Sequence, residues 1–140
     1  MRLTVLVVGL VVLAAQPAVA DATVLNVSPH HLSFGKQAFD TFTTGTVTVT
    51  NTGSTAVLVA VEALDVPDDI SPGQPESTCP LTEATLLQAG ATCAHVVGYS
   101  PSRTFVGRQS ATLRITARDP ALGAILDTSL VKISGRGVAP

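Results

Sequence analysis

Two cysteines, Cys79 and Cys93, and three histidines, His30, His31 and His95, are the side chains best suited to redox, metal or proton chemistry in this chain. The cysteines are spaced far wider than C-x-x-C, and no further soft ligand stands beside them, which argues against a redox or metal pair. As an even pair in an exported chain they read as a disulfide closing a short loop. His30 and His31 are neighbours, and neighbours on a strand point to opposite faces, so they are poorly placed to share one ion. His95 lies in the run from Thr92 to Tyr99, where Cys93, His95, Val97 and Tyr99 share one face. That register turns His95 inward, where an imidazole needs a hydrogen-bond partner and burial lowers its pKa. The expectation is a histidine at the rim of a core, satisfied by backbone.

Asp65, Asp68, Asp69 and Glu76 fall in a stretch that also holds Pro67, Pro72, Pro75 and Pro80. Carboxylates attract hard cations, but this spacing fits no calcium loop. The stretch from Asp65 to Pro80 reads as a solvated, mobile loop with one pinned apolar point, Ile70. Asp65, Asp68, Asp69, Ile70 and Glu76 are the candidate contact residues. Serines are present, but Gly98-Tyr99-Ser100-Pro101-Ser102 lacks the last glycine of a nucleophile elbow. Phosphate-cradling and dinucleotide-binding glycine patterns are absent. No catalytic, cofactor-binding or metal-ligating set is therefore expected, and no cofactor. Asn26-Val27-Ser28 fits a glycosylation sequon, followed at once by Pro29.

The chain starts with Arg2, an apolar run from Leu3 to Ala15, and the small-x-small Ala18-Val19-Ala20. This is the pattern of a secretory signal peptide spanning residues 1–20, cleaved after Ala20. The run is short of the roughly 20 apolar residues that span a bilayer, so no membrane span is expected after cleavage. Residues 21–140 suit one domain. Without Arg2, seven Lys and Arg face ten Asp and Glu, a net charge of −3. No basic block exists, which argues against a nucleic-acid partner. The expected location is secreted, periplasmic or cell-envelope.

The elements that position these groups are strands. Thr23 to Val27 is β-prone, and Leu32 and Phe34 share a face. Lys36 to Thr44 is looser, with Gly45 at its end. Thr46 to Thr50 alternates with Val47 and Val49 inward, and Asn51-Thr52-Gly53-Ser54 is a turn. Val57, Val59 and Val61 face inward, opposite Leu58, Ala60 and Glu62. Leu81 to Leu87 reads as a helical turn or an irregular edge segment. Ser110 to Ala117 turns Ala111, Leu113, Ile115 and Ala117 inward. Asp119 to Gly123 is a hairpin connection, and the last strand, from about Asp127 to Ser134, turns Val131 and Ile133 inward. Six to eight short alternating strands between turn residues, with no helical period after the signal peptide, give an all-β sandwich. Phe34 and Tyr99 are its largest core fillers.

Four segments resemble the immunoglobulin-like domain called choice-of-anchor D, related to the ASH domains of abnormal-spindle protein and Hydin. Ser28-Pro29 through Gly35 resembles the opening strand of that family. Val47 to Gly53 resembles its TNTG strand and turn. Leu87 to Pro101 resembles its L-x-x-G-x-x-C turn and F-x-P strand, with Tyr99 for the phenylalanine. Leu113 to Thr116 and Ile133 to Val138 resemble its closing strands. The resemblance implies an immunoglobulin-like β-sandwich of seven to eight strands, used as a spacer or binding module and without catalytic residues. His95 departs from it, standing where the family is usually apolar. The reading is a non-enzymatic exported module acting by protein–protein contact, its partner an unknown protein or cell-envelope component. The alternative is a small structural protein of the envelope or extracellular space with no defined ligand. An enzyme or a metal-binding protein comes last.

Overall fold

The computed structural model describes residues 23–105 and 107–140. The signal peptide expected over residues 1–20 lies outside them. The described chain forms nine strands: β1 (Leu25–Ser28), β2 (His31–Ala38), β3 (Thr43–Asn51), β4 (Val57–Leu64), β5 (Ile70–Pro72), β6 (Thr85–Leu87), β7 (Thr92–Tyr99), β8 (Gly107–Arg118) and β9 (Ile125–Val138). One sheet has the order β1-β3-β7-β5 and the other β2-β9-β8-β4-β6. β2 runs parallel to β9; the other strand pairs are antiparallel. The expected immunoglobulin-like sandwich is present, and β5 and β6 bring its strand count to nine.

The two inner faces follow from alternation. Val47 and Val49 of β3, Val57, Val59 and Val61 of β4, Leu113 and Ile115 of β8, and Val131 and Ile133 of β9 are all buried. The outer positions between them hold Thr48 in β3, Arg114 in β8 and Lys132 in β9, while β4 places Leu58 and Ala60 there. The rings of Phe34 and Tyr99 pack 5.3 Å apart, centroid to centroid. A Cβ added at Gly135 would stand 2.6 Å from Cε1 of Tyr99, so β9 passes under the tyrosine ring because residue 135 has no side chain.

Three expectations change. The segment Lys36 to Thr44 is mostly strand, since β2 reaches Ala38 and β3 begins at Thr43. Lys36 is exposed, while the polar Gln37 and Thr43 are half-buried and bonded to each other, which hides the period. Leu81 to Leu87 is the edge alternative and not the helical turn: Leu81 bridges to Val61 and Thr85–Leu87 pairs with β4. The stretch Asp65 to Pro80 is neither fully loop nor free. Ile70–Pro72 is strand β5 on the edge of β7, and Ile70 is buried. Beyond it the chain stays against β7. Gln74 N–H donates to Val96 O at 2.9 Å, and Thr78 N–H to Ala94 O at 2.8 Å. In the other direction Val96 N–H donates to Ser77 Oγ at 2.9 Å and Ala94 N–H to Thr78 Oγ1 at 2.8 Å. The Cys79–Cys93 disulfide, with Cα atoms 5.5 Å apart, fastens the end of this stretch to β7.

Asn51, read from sequence as part of a turn, is a fully buried junction between the sheets. Its Nδ2 donates to Thr55 O and Leu87 O, both at 2.9 Å, and its Oδ1 accepts from Gly53 N–H at 3.0 Å. Asn51→Ala would orphan buried backbone groups on both sides, at a cost of about 3 kcal/mol. Breaking the disulfide, whose cysteines are 14 residues apart, would cost a similar amount, roughly 3 kcal/mol, by freeing a loop in the unfolded chain. Urea unfolding of Asn51→Ala and of the Cys79→Ala/Cys93→Ala double variant should show both losses in the midpoint.

Candidate functional site

The structure disperses most of the chemically capable side chains. His31 Nε2 is hydrogen-bonded to Ser134 Oγ at 2.8 Å, and the adjacent His30 precedes β2 on the surface. Among the described residues no three His, Cys, Asp or Glu side chains converge as metal ligands. Cys79 and Cys93 are consumed in the disulfide.

His95 is in the core, not at its rim. It is completely buried, between strands whose inner faces are apolar. Its Nδ1–H donates to the carbonyl of Cys79 at 2.7 Å, so the backbone partner foreseen from sequence is real and is supplied by the stapled loop. Nε2 has no partner among the described residues. Burial lowers the His95 pKa from its ordinary value of 6.5, and the bond to Cys79 opposes that shift only in part.

The acidic stretch splits into two populations. Asp65, Asp68 and Glu76 are exposed, as contact residues must be. Asp69 and Ile70 are buried and leave the candidate contact set. Asp69 instead organises one end of the sandwich. Its Oδ2 accepts from Ser102 N–H at 3.0 Å and from Ser102 Oγ at 3.3 Å, while its carbonyl accepts from Ser100 N–H at 2.9 Å. These bonds satisfy the buried side chain, which is how a buried polar group is tolerated.

Around Asp69 the chain leaves a cleft of about 300 Å³, lined by Pro67, Asp68, Asp69, Ser102, Thr104, Phe105 and Gln109. Phe105 is about half exposed beside it. Gln109 is buried, with no partner for its Oε1 among the described residues. Tyr99 lies behind, its hydroxyl likewise unpartnered. Burial and then the negative charge of Asp69 push the Tyr99 pKa up, so it stays a neutral phenol. The cleft thus offers carboxylates, hydroxyls and one aromatic ring. Among its described lining residues there is no histidine and no thiol, and its one hydroxyl–carboxylate pair is Ser102 with Asp69. Ser102, Phe105 and Gln109 were not singled out from sequence. Gln109 was within reach: running the alternation of β8 back one step from Ala111 places a polar amide on the inner face.

No protein-family model and no curated protein sequence matches the chain. Solved structures do. The whole chain aligns with 98% of the ASH/PapD-like domain 7 of human CEP192, at TM-score 0.64 and 12% identity. Over 83% of its length it aligns with 99% of WR4, an MSP family member of C. elegans, at TM-score 0.56 and 12% identity. Over 82% it aligns with 52% of the YadV chaperone, at TM-score 0.58 and 16% identity. The chain therefore has the PapD-like immunoglobulin fold of ASH domains, as the sequence motifs implied. A protease and a glycoside hydrolase carry the same sandwich as a minor part of their length, so the fold alone does not decide catalysis.

The buried His95 gives stability a pH dependence. Its folded pKa lies below its unfolded one, so the unfolded chain binds the extra proton. Its contribution is complete above about pH 6.5 and falls as pH drops below that, by up to about 1.4 kcal/mol per pH unit. His95→Leu should fold, matching the apolar surroundings, and should flatten that slope. Urea unfolding of both proteins at neutral pH and at about pH 5.5 checks this; equal slopes would show that the imidazole titrates normally.

Proposed function

We propose that the chain is a non-enzymatic, exported ASH-like module that works by contact with a protein partner, through the Asp69 end of the sandwich. The observation that carries this reading is the cleft there. Exposed Asp68 and half-exposed Phe105 line a concavity whose wall is fixed by the Asp69–Ser102 bonds, and exposed Asp65 precedes it in the chain. A rigid rim with an aromatic anchor and uncompensated carboxylates is a recognition surface that binds without first paying for its own ordering. The partner's matching patch would be basic with an apolar centre. Export is supported by the sequence of residues 1–20 and by the disulfide, which persists in oxidising compartments. Among the described residues, no helix is long and apolar enough to cross a membrane.

Excising Asp68 to Glu76 would be a poor test, because it would remove β5 and the Asp69 bonds along with the contact residues. Asp65→Asn, Asp68→Asn and Phe105→Ser leave those supports in place. Crosslinking and pull-down from the native envelope should recover a discrete partner with the parent chain and about tenfold less with the triple variant, the loss of a small hot spot. Undiminished recovery would remove the cleft from the interface. Bulk wall association without a discrete partner would favour the structural-protein alternative. The exported form should have its N-terminus at Asp21 and no free thiol, which mass spectrometry reads directly.

A further inference from the structure

The outer face of the five-stranded sheet carries a row of three like charges. In the register of β2, β9 and β8, Lys36 is opposite Arg136 and Arg136 is opposite Arg108. Adjacent strands are about 4.8 Å apart, so three cationic side chains start within about 10 Å of one another. All three are exposed. Like charges directly opposite on a sheet are destabilising. Three other cations are engaged: Arg114 pairs with Glu62, Arg103 with Asp40, and Arg118 donates to the Gly123 carbonyl. Among the described residues no acid forms a salt bridge with Lys36, Arg108 or Arg136.

The third cation is there because of a deliberate irregularity. Ser33 pairs with Ser134, but the next pair is Lys36 with Arg136, so β2 carries one residue more than β9 at this point. The extra residue is a bulge, with Gly35 at φ +62°. Without it the alternation from Ser33 would turn Lys36 toward the core. With it Phe34 keeps its place in the core and Lys36 joins the arginines outside. The three cations, with Ser33, Gly35, Ser134 and Gly135, line a cleft of about 260 Å³. Gly35 leaves open space there, since a Cβ added to it would meet nothing within 4 Å.

We propose that this cleft binds a phosphate group. Two guanidinium forks, one ammonium and the Ser33 hydroxyl approach from three strands, which suits a tetrahedral oxyanion with oxygens on several sides better than a planar carboxylate that one arginine satisfies. The net charge of −3 on residues 21–140 opposes long polyanions, so the ligand is a single phosphate or diphosphate moiety, free or as a lipid headgroup. This site lies on the outer sheet face and does not depend on the Asp69 cleft.

Titration of the purified protein with inorganic pyrophosphate at low ionic strength, followed by calorimetry and by thermal melting, tests the proposal. Saturable binding with a rise in Tm is expected. Arg136→Gln and, as a second variant should that one not fold, Arg108→Gln should weaken binding about tenfold or more, the loss of a charged hydrogen-bond set. Each should also melt higher than the parent chain when pyrophosphate is absent, because the repulsion is relieved. Lys132→Gln, on the same strand face four residues earlier, should bind within about twofold of the parent. Co-sedimentation with vesicles of phosphatidylcholine containing a minor fraction of phosphatidylglycerol, against phosphatidylcholine alone, separates the sources. Binding to the anionic vesicles assigns a lipid headgroup, and pyrophosphate binding without vesicle binding assigns a soluble phosphate. No saturable pyrophosphate binding, or an equal loss in Lys132→Gln and Arg136→Gln, would overturn the site.

Discussion

β7 carries Cys93, His95, Val97 and Tyr99 into the core, and it has to be closed along its outer edge by a segment containing Pro72 and Pro75. A proline offers no N–H, so a second full strand cannot form there. The chain solves this in three pieces. β5 pairs over three residues. Ser77 and Thr78 then lend hydroxyls where backbone acceptors would stand, and the disulfide at Cys79 closes the far end. An open edge beside the most heavily loaded core strand would be a site for pairing with other chains. The same stitching delivers the Cys79 carbonyl to His95, so the buried imidazole and the edge closure depend on one another.

The alternation of apolar residues was enough to read the sandwich, because Val, Leu and Ile at every second position leave little choice of face. Val47 and Val49, the three valines of β4, and Leu113 with Ile115 all lie where the period puts them. The motif likeness to ASH domains added the immunoglobulin-like type of the sandwich. The acidic stretch was misjudged for a physical reason. Its contacts to β7 are made by hydroxyls and isolated backbone groups, which leave no period in the sequence, and its prolines and acids have the composition of a solvated loop. Asp69 is buried because Ser102 satisfies it from a loop thirty-three residues away, a pairing no local pattern announces. Of the candidate site, the exposed Asp65, Asp68 and Glu76 were legible. The cleft that Asp68 lines was not, since Ser102, Phe105 and Gln109 come from beyond β7. The bulge at Gly35 was equally hidden, because Ser33-Phe34-Gly35-Lys36 reads as plain alternation until the register with β9 is known.

The start of β8 joins the two clefts without merging them. Arg108 points to the outer face of the sheet and lines the cationic cleft. Gln109, the next residue, points inward and lines the Asp69 cleft. Gly135 of β9, the partner of Gln109, lies against the Tyr99 ring on one side and borders the cationic cleft on the other. A sheet is one residue thick, so two sites of opposite charge can share a strand while facing different solvents.

That arrangement also explains why the register here has no freedom. A slip of one residue in β8 would carry Arg108, Ser110 and Arg114 into the core and expel Ala111, Leu113 and Ile115. Each misplaced arginine would be a buried charge without a partner, a cost of several kcal/mol. The apolar loss from exposing Leu113 and Ile115 adds about 1.5–3 kcal/mol for each side chain. Against penalties of that size, the repulsion among three exposed cations is small, because water screens it. The fold can therefore hold Lys36, Arg108 and Arg136 side by side without losing its register, and the price of doing so stays within what the long β8–β9 pairing supports.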